Sequence, residues 1–276
     1  RCKMPPFVLL ENVDRLLKSP SKQRGRDFGI MLRCFDDLGY SVQWKIINAA
    51  EYGHPQKRRR IFIFAYRNST SYHNETHKNT AEKIILDTGL FPIIFPVTRK
   101  NHLEYTKSIK KDSYKTLVDV SDNFYFNFEN SGVMHDGEIF TVATIALPSV
   151  KRPLKSILQR NLDIEKYKIG DKKEKFIILK GSKKIQRVKN GVSYFYSEGS
   201  MSFPENLDEP GRTMLTSEGT TNRSTHVVED IDTGILRFLT PIEAERLNEF
   251  PDNWTNTGMP EKRRYFMMGN ALVVGI

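Results

Sequence analysis

Two stretches of this 276-residue sequence put chemically capable side chains beside apolar runs. In the first, Phe7-Val8-Leu9-Leu10 leads straight into Glu11-Asn12-Val13. Such a run reads as a buried strand of an α/β sheet. A carboxylate at its C-terminal end is placed to hydrogen-bond a substrate in the crevice beyond the sheet. The plainer alternative is an acid in a loop or at a helix N-terminus. In the second stretch, Gln56-Lys57-Arg58-Arg59-Arg60 precedes Ile61-Phe62-Ile63-Phe64-Ala65-Tyr66. Alternate residues of an extended segment face one side, so Gln56, Arg58 and Arg60 are expected to point together. Two guanidiniums and an amide then form a rigid donor array for base edges or phosphate. A basic surface loop would carry the same residues.

The elements that must position these groups are legible around them. Phe28, Leu32, Phe35 and Leu38 recur at helical spacing within Ser21 to Leu38, and Gly39 follows as a C-cap. Val42, Trp44 and Ile46 alternate with polar neighbours, as in a strand, and Ile61 to Tyr66 reads as another strand. Strand, helix, strand, loop and strand make part of a layered α/β domain. From residue 67 to 235 the sequence turns polar, basic and irregular, with strand-like runs at Phe176–Leu179 and Val192–Tyr196. This is expected to be an inserted, mostly β or irregular region.

A third, longer signature follows the insert: Arg237-Phe238-Leu239-Thr240-Pro241-Ile242-Glu243-Ala244-Glu245-Arg246-Leu247, then Phe250-Pro251. Thr240 caps a helix, Pro241 suits its first position and Glu243 completes a capping box. Glu243 and Arg246 stand three apart and can pair on one face.

Composition narrows the class. Hydrophobic residues make up 38% and charged residues 28%, the profile of a folded, soluble chain. No apolar run approaches the ~20 residues needed to span a bilayer. The two cysteines, Cys2 and Cys34, exclude a disulfide framework and an all-cysteine zinc site. The net charge is +10, and residues 151–190 hold 14 Lys/Arg against four Asp/Glu. Such a surplus suits a polyanion such as nucleic acid, or it is a solvated basic surface. His73 and His77 are four apart, but their surroundings read as a loop, so no metal site is expected.

Taken in order, Glu11-Asn12-Val13, the Gln-x-Arg-x-Arg of Gln56 to Arg60, the block from Arg237 to Pro251, and Gly269-Asn270-Ala271 resemble successive blocks of the DNA cytosine-C5 methyltransferases. The resemblance covers the whole chain. It implies a partial Rossmann-like, S-adenosylmethionine-dependent α/β sheet formed by residues 1–66 and 236–276. Residues 67–235 would be an inserted target recognition domain that binds double-stranded DNA. It also implies chemistry. A cytosine is flipped from the duplex, a cysteine thiolate adds to C6, and S-adenosylmethionine delivers the methyl group to C5. Glu11 would contact the ring N3 and the exocyclic amine, Arg60 the ring O2, with Arg58 in support. Asn270 and Ala271 would contribute to the cofactor site. Gln56, Gly199, Arg212, Thr213, Thr216 and Gly219 would face DNA, where glycines allow close backbone approach. Thr240, Glu243 and Arg246 would be structural.

The sequence departs from the family pattern in lacking the glycine-rich cofactor block and the Pro-Cys nucleophile loop. Cys2 and Cys34 read as ordinary structural thiols. The chain is therefore expected to be a fragment, cut at both ends, and to be inactive without an N-terminal segment of the same enzyme. An exposed apolar edge around Phe7–Leu10 and Ile61–Tyr66 would then favour self-association. The implied setting is a restriction-modification system in the bacterial cytoplasm, close to the nucleoid. The rival is a non-catalytic, sequence-specific DNA-binding homologue.

Overall fold

The computed structural model describes residues 3–189 and 191–276; Cys2 lies outside them. In chain order the elements are β1 (Phe7–Val13), α1 (Arg26–Asp37), β2 (Tyr40–Asn48), β3 (Arg59–Arg67), α2 (Ser71–Thr76), α3 (Ala81–Lys83), α4 (Leu90–Ile94), β4 (Val97–Ser108), α5 (Leu117–Asn123), β5 (Ser131–His135), β6 (Glu138–Ala146), α6 (Lys173–Lys180), β7 (Lys183–Lys189), β8 (Val192–Glu198), β9 (Val227–Glu229), β10 (Leu236–Phe238), α7 (Pro241–Leu247) and α8 (Glu261–Asn270). A π-helical turn, Ile84–Thr88, continues α3. The chain divides into two compact units. One comprises Arg1–Tyr52 and Arg59–Ser149, the other Gly53–Arg58 and Val150–Ile276.

The first unit is a layered α/β structure. Six strands pair in the order β1-β3-β2-β5-β6-β4, each antiparallel to its neighbours. Alternation sorts their side chains between two faces. Val42, Trp44, Ile61, Ile63, Ala65 and Met134 meet Phe28 and Leu32 of α1 and Val120 of α5 in the main core. On the opposite face Val133 and Val142 pack under Ile84 and Ile85. Gly132 is required below Trp44, because a Cβ there would lie 2.0 Å from the indole.

The expected strands at Phe7, Val42 and Ile61 are present, and α1 begins at Arg26 rather than Ser21. Gly25, at φ +83°, turns the chain immediately before it. The expectation of a buried first strand fails for most of β1. Among the described residues it is an edge strand paired only to β3, and Leu9 is 62% exposed. The unit boundaries also differ from cuts at 66/67 and 235/236. β4, β5 and β6, which follow residue 67, extend the same sheet as β1, β2 and β3, because β5 pairs along β2 from Lys45 to Val42.

The second unit surrounds α7 and α8. Leu154, Ile157, Met214, Val228, Leu239, Leu247, Tyr265 and Met268 form its core, with a smaller cluster at Ile169, Phe176 and Val227. The Thr240–Glu243 capping box forms as expected, with Pro241 at the first turn. Phe176–Leu179 is helical, not a strand. The run is short, Phe176 alone of it is buried, Ile178 is exposed, and lysines flank it, so burial imposes no period-two pattern. Val192–Tyr196 is a strand, in the β7–β8 hairpin. At its C-terminal end α8 stops at Asn270.

Candidate functional site

In the first unit, β1 and β3 bring the two polar motifs together. Antiparallel pairing sets Val13 opposite Arg60 and Glu11 opposite Phe62. The Arg60 Nε lies 2.9 Å from Glu11 Oε1, with both side chains partly exposed. Arg60 Nη1 also donates to the Arg59 carbonyl at 2.8 Å, which fixes the plane of the guanidinium. Neighbouring Arg59 reaches Asp14 at 3.4 Å. The result is a carboxylate acceptor and a forked donor side by side at the edge of a sheet. A ligand that offers one acceptor and one donor along a planar edge could engage both.

Gln56 and Arg58 do point the same way, as alternate residues should, but both enter the second unit's interior. Gln56 Nε2 donates to the Leu247 carbonyl at 3.1 Å and to Asn248 Oδ1 at 3.0 Å. Its Oε1 accepts from Met214 N at 3.0 Å. Arg58 donates to the carbonyls of Met214 and Gly269, each at 3.1 Å. The expected array of three side chains is therefore not formed. Gln56 and Arg58 bind three backbone segments to one another, and Arg60 belongs to β3 of the first unit.

The loop from Gly211 to Gly219 is set by these bonds. Arg212 forms a two-pronged contact with Glu205, at 2.9 and 2.5 Å. Glu205 is also reached by Lys180 at 2.9 Å, and both of those side chains are buried. Burial pushes the Glu205 carboxyl up, but Arg212, His226 and Lys180 together bring it below its ordinary range. Burial holds the Lys180 ammonium below its ordinary range. Thr213 Oγ1 donates to the Lys57 carbonyl at 2.5 Å. Thr216 is exposed, and its backbone packs so closely on Gly269 that a Cβ there would lie 2.4 Å from Thr216 N. Gly219 sits at φ +73° against the Tyr265 ring. Gly199 is exposed, and Arg223 donates to its carbonyl. The glycine of the Gly269-Asn270-Ala271 block is thus a packing requirement. Asn270 is exposed, with Nδ2 donating to Phe266 O at 3.2 Å, and the Ala271 N–H closes α8 on Met267 O.

The long third motif resolves into a buried ion network that sequence reasoning missed. Arg237 is fully buried and binds Asp230 at 2.8 Å and Glu243 at 2.7 and 2.8 Å. Glu243 additionally accepts from Thr240 N and Gln159 N, each at 2.8 Å. The expected Glu243–Arg246 pair does not form. Glu243 faces inward to Arg237, while Arg246 pairs at the surface with Asp252 at 2.6 Å. The sequence signal was Arg237 itself, an arginine inside an apolar strand that must find a carboxylate.

Cys34 lies on α1, and burial followed by Asp37 pushes its thiol up. That is the reverse of what a nucleophilic cysteine needs. The α2 segment around His73 is helical rather than a loop, and His73, His77 and His135 come together. Among the described residues no helix is long and apolar enough to cross a membrane.

Comparison with known proteins agrees with this architecture. The type II methyltransferase M.Sau3AI of Staphylococcus aureus is 52% identical over 274 residues, covering 98% of this chain and 65% of that protein. The type II methyltransferase M.NlaIV of Neisseria lactamica is 27% identical over 313 residues, covering all of this chain and 72% of that protein. The chain thus spans about two thirds of the length of these relatives. Among solved structures, the Schizosaccharomyces pombe Dnmt2 methyltransferase superposes with a TM-score of 0.53 at 13% identity, covering 99% of this chain and 64% of that one. This likeness shows a shared methyltransferase fold. The family model for C-5 cytosine-specific DNA methylases matches residues 1–276, and the chain belongs to that family.

Proposed function

We propose that this chain is the base-holding and DNA-reading part of a type II restriction-modification methyltransferase, which methylates C5 of a flipped cytosine in a specific duplex sequence. The observation that carries the proposal is the Glu11–Arg60 pair at 2.9 Å on adjacent strands. The pairing edge of cytosine presents an exocyclic amine donor, the N3 acceptor and the O2 acceptor. Glu11 accepts from the amine and stabilises a proton at N3. Arg60 donates to O2. Until a base arrives, each group satisfies the other, so neither charge stands unpaired at the site. Arg58 has a structural part within the second unit, holding the carbonyls of Met214 and Gly269.

S-adenosylmethionine is the methyl donor the family uses. Asn270 fits a place beside it, since its side chain is exposed and its Nδ2 is held within α8, which leaves the carboxamide oxygen to face a ligand. Ala271 presents its small side chain at the same helix end. Neither residue alone makes a binding site, so they form one wall of it. The nucleophilic thiolate is not Cys34, which burial disfavours as an anion. It comes from another segment of the enzyme, which docks on the exposed β1 edge. Without that segment the chain is inactive and prone to self-association through Phe7, Leu9 and Leu10.

Residues 67–235 include the DNA reader. Lys173, Lys175 and Lys184 are exposed and meet phosphate, whereas Lys180 is buried on Glu205 and does not. The enzyme works in the bacterial cytoplasm, beside the nucleoid. Retention of the Glu11–Arg60 pair favours catalysis over a DNA-binding homologue that has lost its site. The test is Glu11→Gln in an active enzyme reconstituted with the part of the S. aureus relative that this chain does not match. Methyl transfer should fall by ~10²-fold or more, the scale for losing one acid–base group, with DNA binding kept. Near-normal turnover overturns the assignment.

A further inference from the structure

The first unit contains a cluster that the cytosine chemistry does not use. His73 lies on α2, and His77 follows one helical turn later at its C-cap, so both project from the same side. His135 ends β5, 58 residues further on, just before the Asp136-Gly137 turn into β6. One ring nitrogen from each of the three histidines lies within 4.8 Å of those of the others. His73 and His77 stack with centroids 5.1 Å apart. Both ring nitrogens of His73 are buried, and no hydrogen-bond partner is present for either among the described residues. A buried polar group left unsatisfied is costly and calls for a partner.

We propose that His73, His77 and His135 form a binding site for a single first-row divalent transition-metal ion, zinc above all, that joins α2 to the β5–β6 hairpin. The imidazole set suits zinc, copper or nickel rather than the oxygen-seeking magnesium or calcium. The hydrogen bonds around His135 already fix the tautomer that ligation needs. Ser41 Oγ donates to Asn68 Oδ1 at 2.9 Å. It is therefore the acceptor for the His135 Nδ1–H at 3.0 Å. That leaves the lone pair on Nε2, which accepts from the Tyr66 hydroxyl at 3.1 Å until a metal takes its place. A ligand histidine held through its other nitrogen is the usual arrangement in protein metal sites.

Tetrahedral zinc with bonds of about 2.0–2.1 Å needs ligand atoms about 3.3 Å apart, so the rings must close by up to about 1.5 Å. His77 is exposed at the helix end and has the freedom to do so. Asp136 Oδ2, 4.0 Å from His77 Nε2, stands ready to orient that ring or to supply a fourth ligand. The ion would bind the segment after β3 to the far hairpin of the same sheet. Its role is to stabilise this unit, and it takes no part in methyl transfer.

The experiment titrates zinc into the untagged 276-residue chain in competition with a chromophoric chelator, with thermal melts and cobalt(II) spectra in parallel. One zinc per chain is expected, with melting raised by about 5–10 °C at a hundredfold excess over the dissociation constant. Cobalt(II) should give the intense visible bands of a tetrahedral site. His77→Ala, at an exposed position that does not threaten folding, should weaken binding at least about tenfold. Ser41→Ala, which removes the orienting acceptor, should weaken it about 10–100-fold. His102→Ala, on an exposed strand, should change nothing. Substoichiometric zinc, or binding by His77→Ala equal to that of the unaltered chain, overturns the proposal.

Discussion

Replacing Arg237 by methionine keeps the aliphatic stem of the side chain and removes the charge from the centre of the second unit. Arg237 is the shared partner of Asp230 and Glu243, and all three side chains are buried. The substitution leaves two carboxylates without their cation, although Thr233 N still donates to Asp230 and Thr240 N to Glu243. Breaking a buried pair from one side typically costs about 3–5 kcal/mol, because the remaining charge stays desolvated. Against a total stability of about 5–15 kcal/mol, that is a large fraction. With a urea slope of about 2–3 kcal/mol/M, the midpoint should fall by about 1–2 M.

The pH dependence carries a further sign. Burial pushes the Asp230 carboxyl up, but Arg237 and Thr233 outweigh it and hold it below the ordinary range. A depressed carboxyl contributes stability above its unfolded value of about 3.9, and that contribution is lost as pH falls through the folded value. Removing Arg237 lessens the depression. The gap between the unaltered chain and Arg237→Met should therefore hold from pH 7 down to about 4 and narrow as pH falls further towards the folded value. Urea melts followed by far-UV circular dichroism at pH 7, 4 and 3 measure both effects. A midpoint shift under about 0.3 M at pH 7, or a gap that widens on acidification, would refute the reasoning.

Three other outcomes follow from the same structure. Neutralising Lys173, Lys175 and Lys184 to glutamine should weaken binding to any duplex sequence and lower the salt slope by about 0.9 for each phosphate no longer neutralised, read from binding isotherms across a salt series. An unchanged slope would place that surface away from DNA. Gln56→Ala removes the bonds to Leu247, Asn248 and Met214 and leaves Met214 N–H buried, so a loss of about 1–3 kcal/mol is expected in the same melts. Moving residues 67–235 into a related active methyltransferase should move its target sequence with them, as restriction-protection assays would report; a folded, active chimera with its old target would show that the reader lies elsewhere.

Local signals were legible where local physics decides the outcome. Thr240, Pro241 and Glu243 specify a helix start by themselves, and the cap forms with those residues. Val42, Trp44 and Ile46 alternate because one face of β2 packs on α1. Where a partner lies far along the chain, the sequence misled. Glu243 and Arg246 are neighbours on a helix, yet Glu243 turns inward because Arg237, which Asp230 also binds, is buried there. Gln56, Arg58 and Arg60 share a parity, but Gln56 and Arg58 are drawn to backbone carbonyls more than 150 residues away. His73 and His77 looked inert until β5 brought His135 beside them. Glu11 and Arg60 are 49 positions apart, and only the register of β1 on β3 makes them a pair.

That these residues hold the cytosine and read the DNA while another segment supplies the thiolate is tested most directly by mass-spectrometric detection of 5-methylcytosine. Duplex DNA is incubated with S-adenosylmethionine and the purified 276-residue chain, with and without the part of the S. aureus relative that this chain does not match. No 5-methylcytosine is predicted from the chain alone, and its appearance is predicted when the two pieces are combined; 5-methylcytosine formed by the 276-residue chain alone would contradict the division of roles.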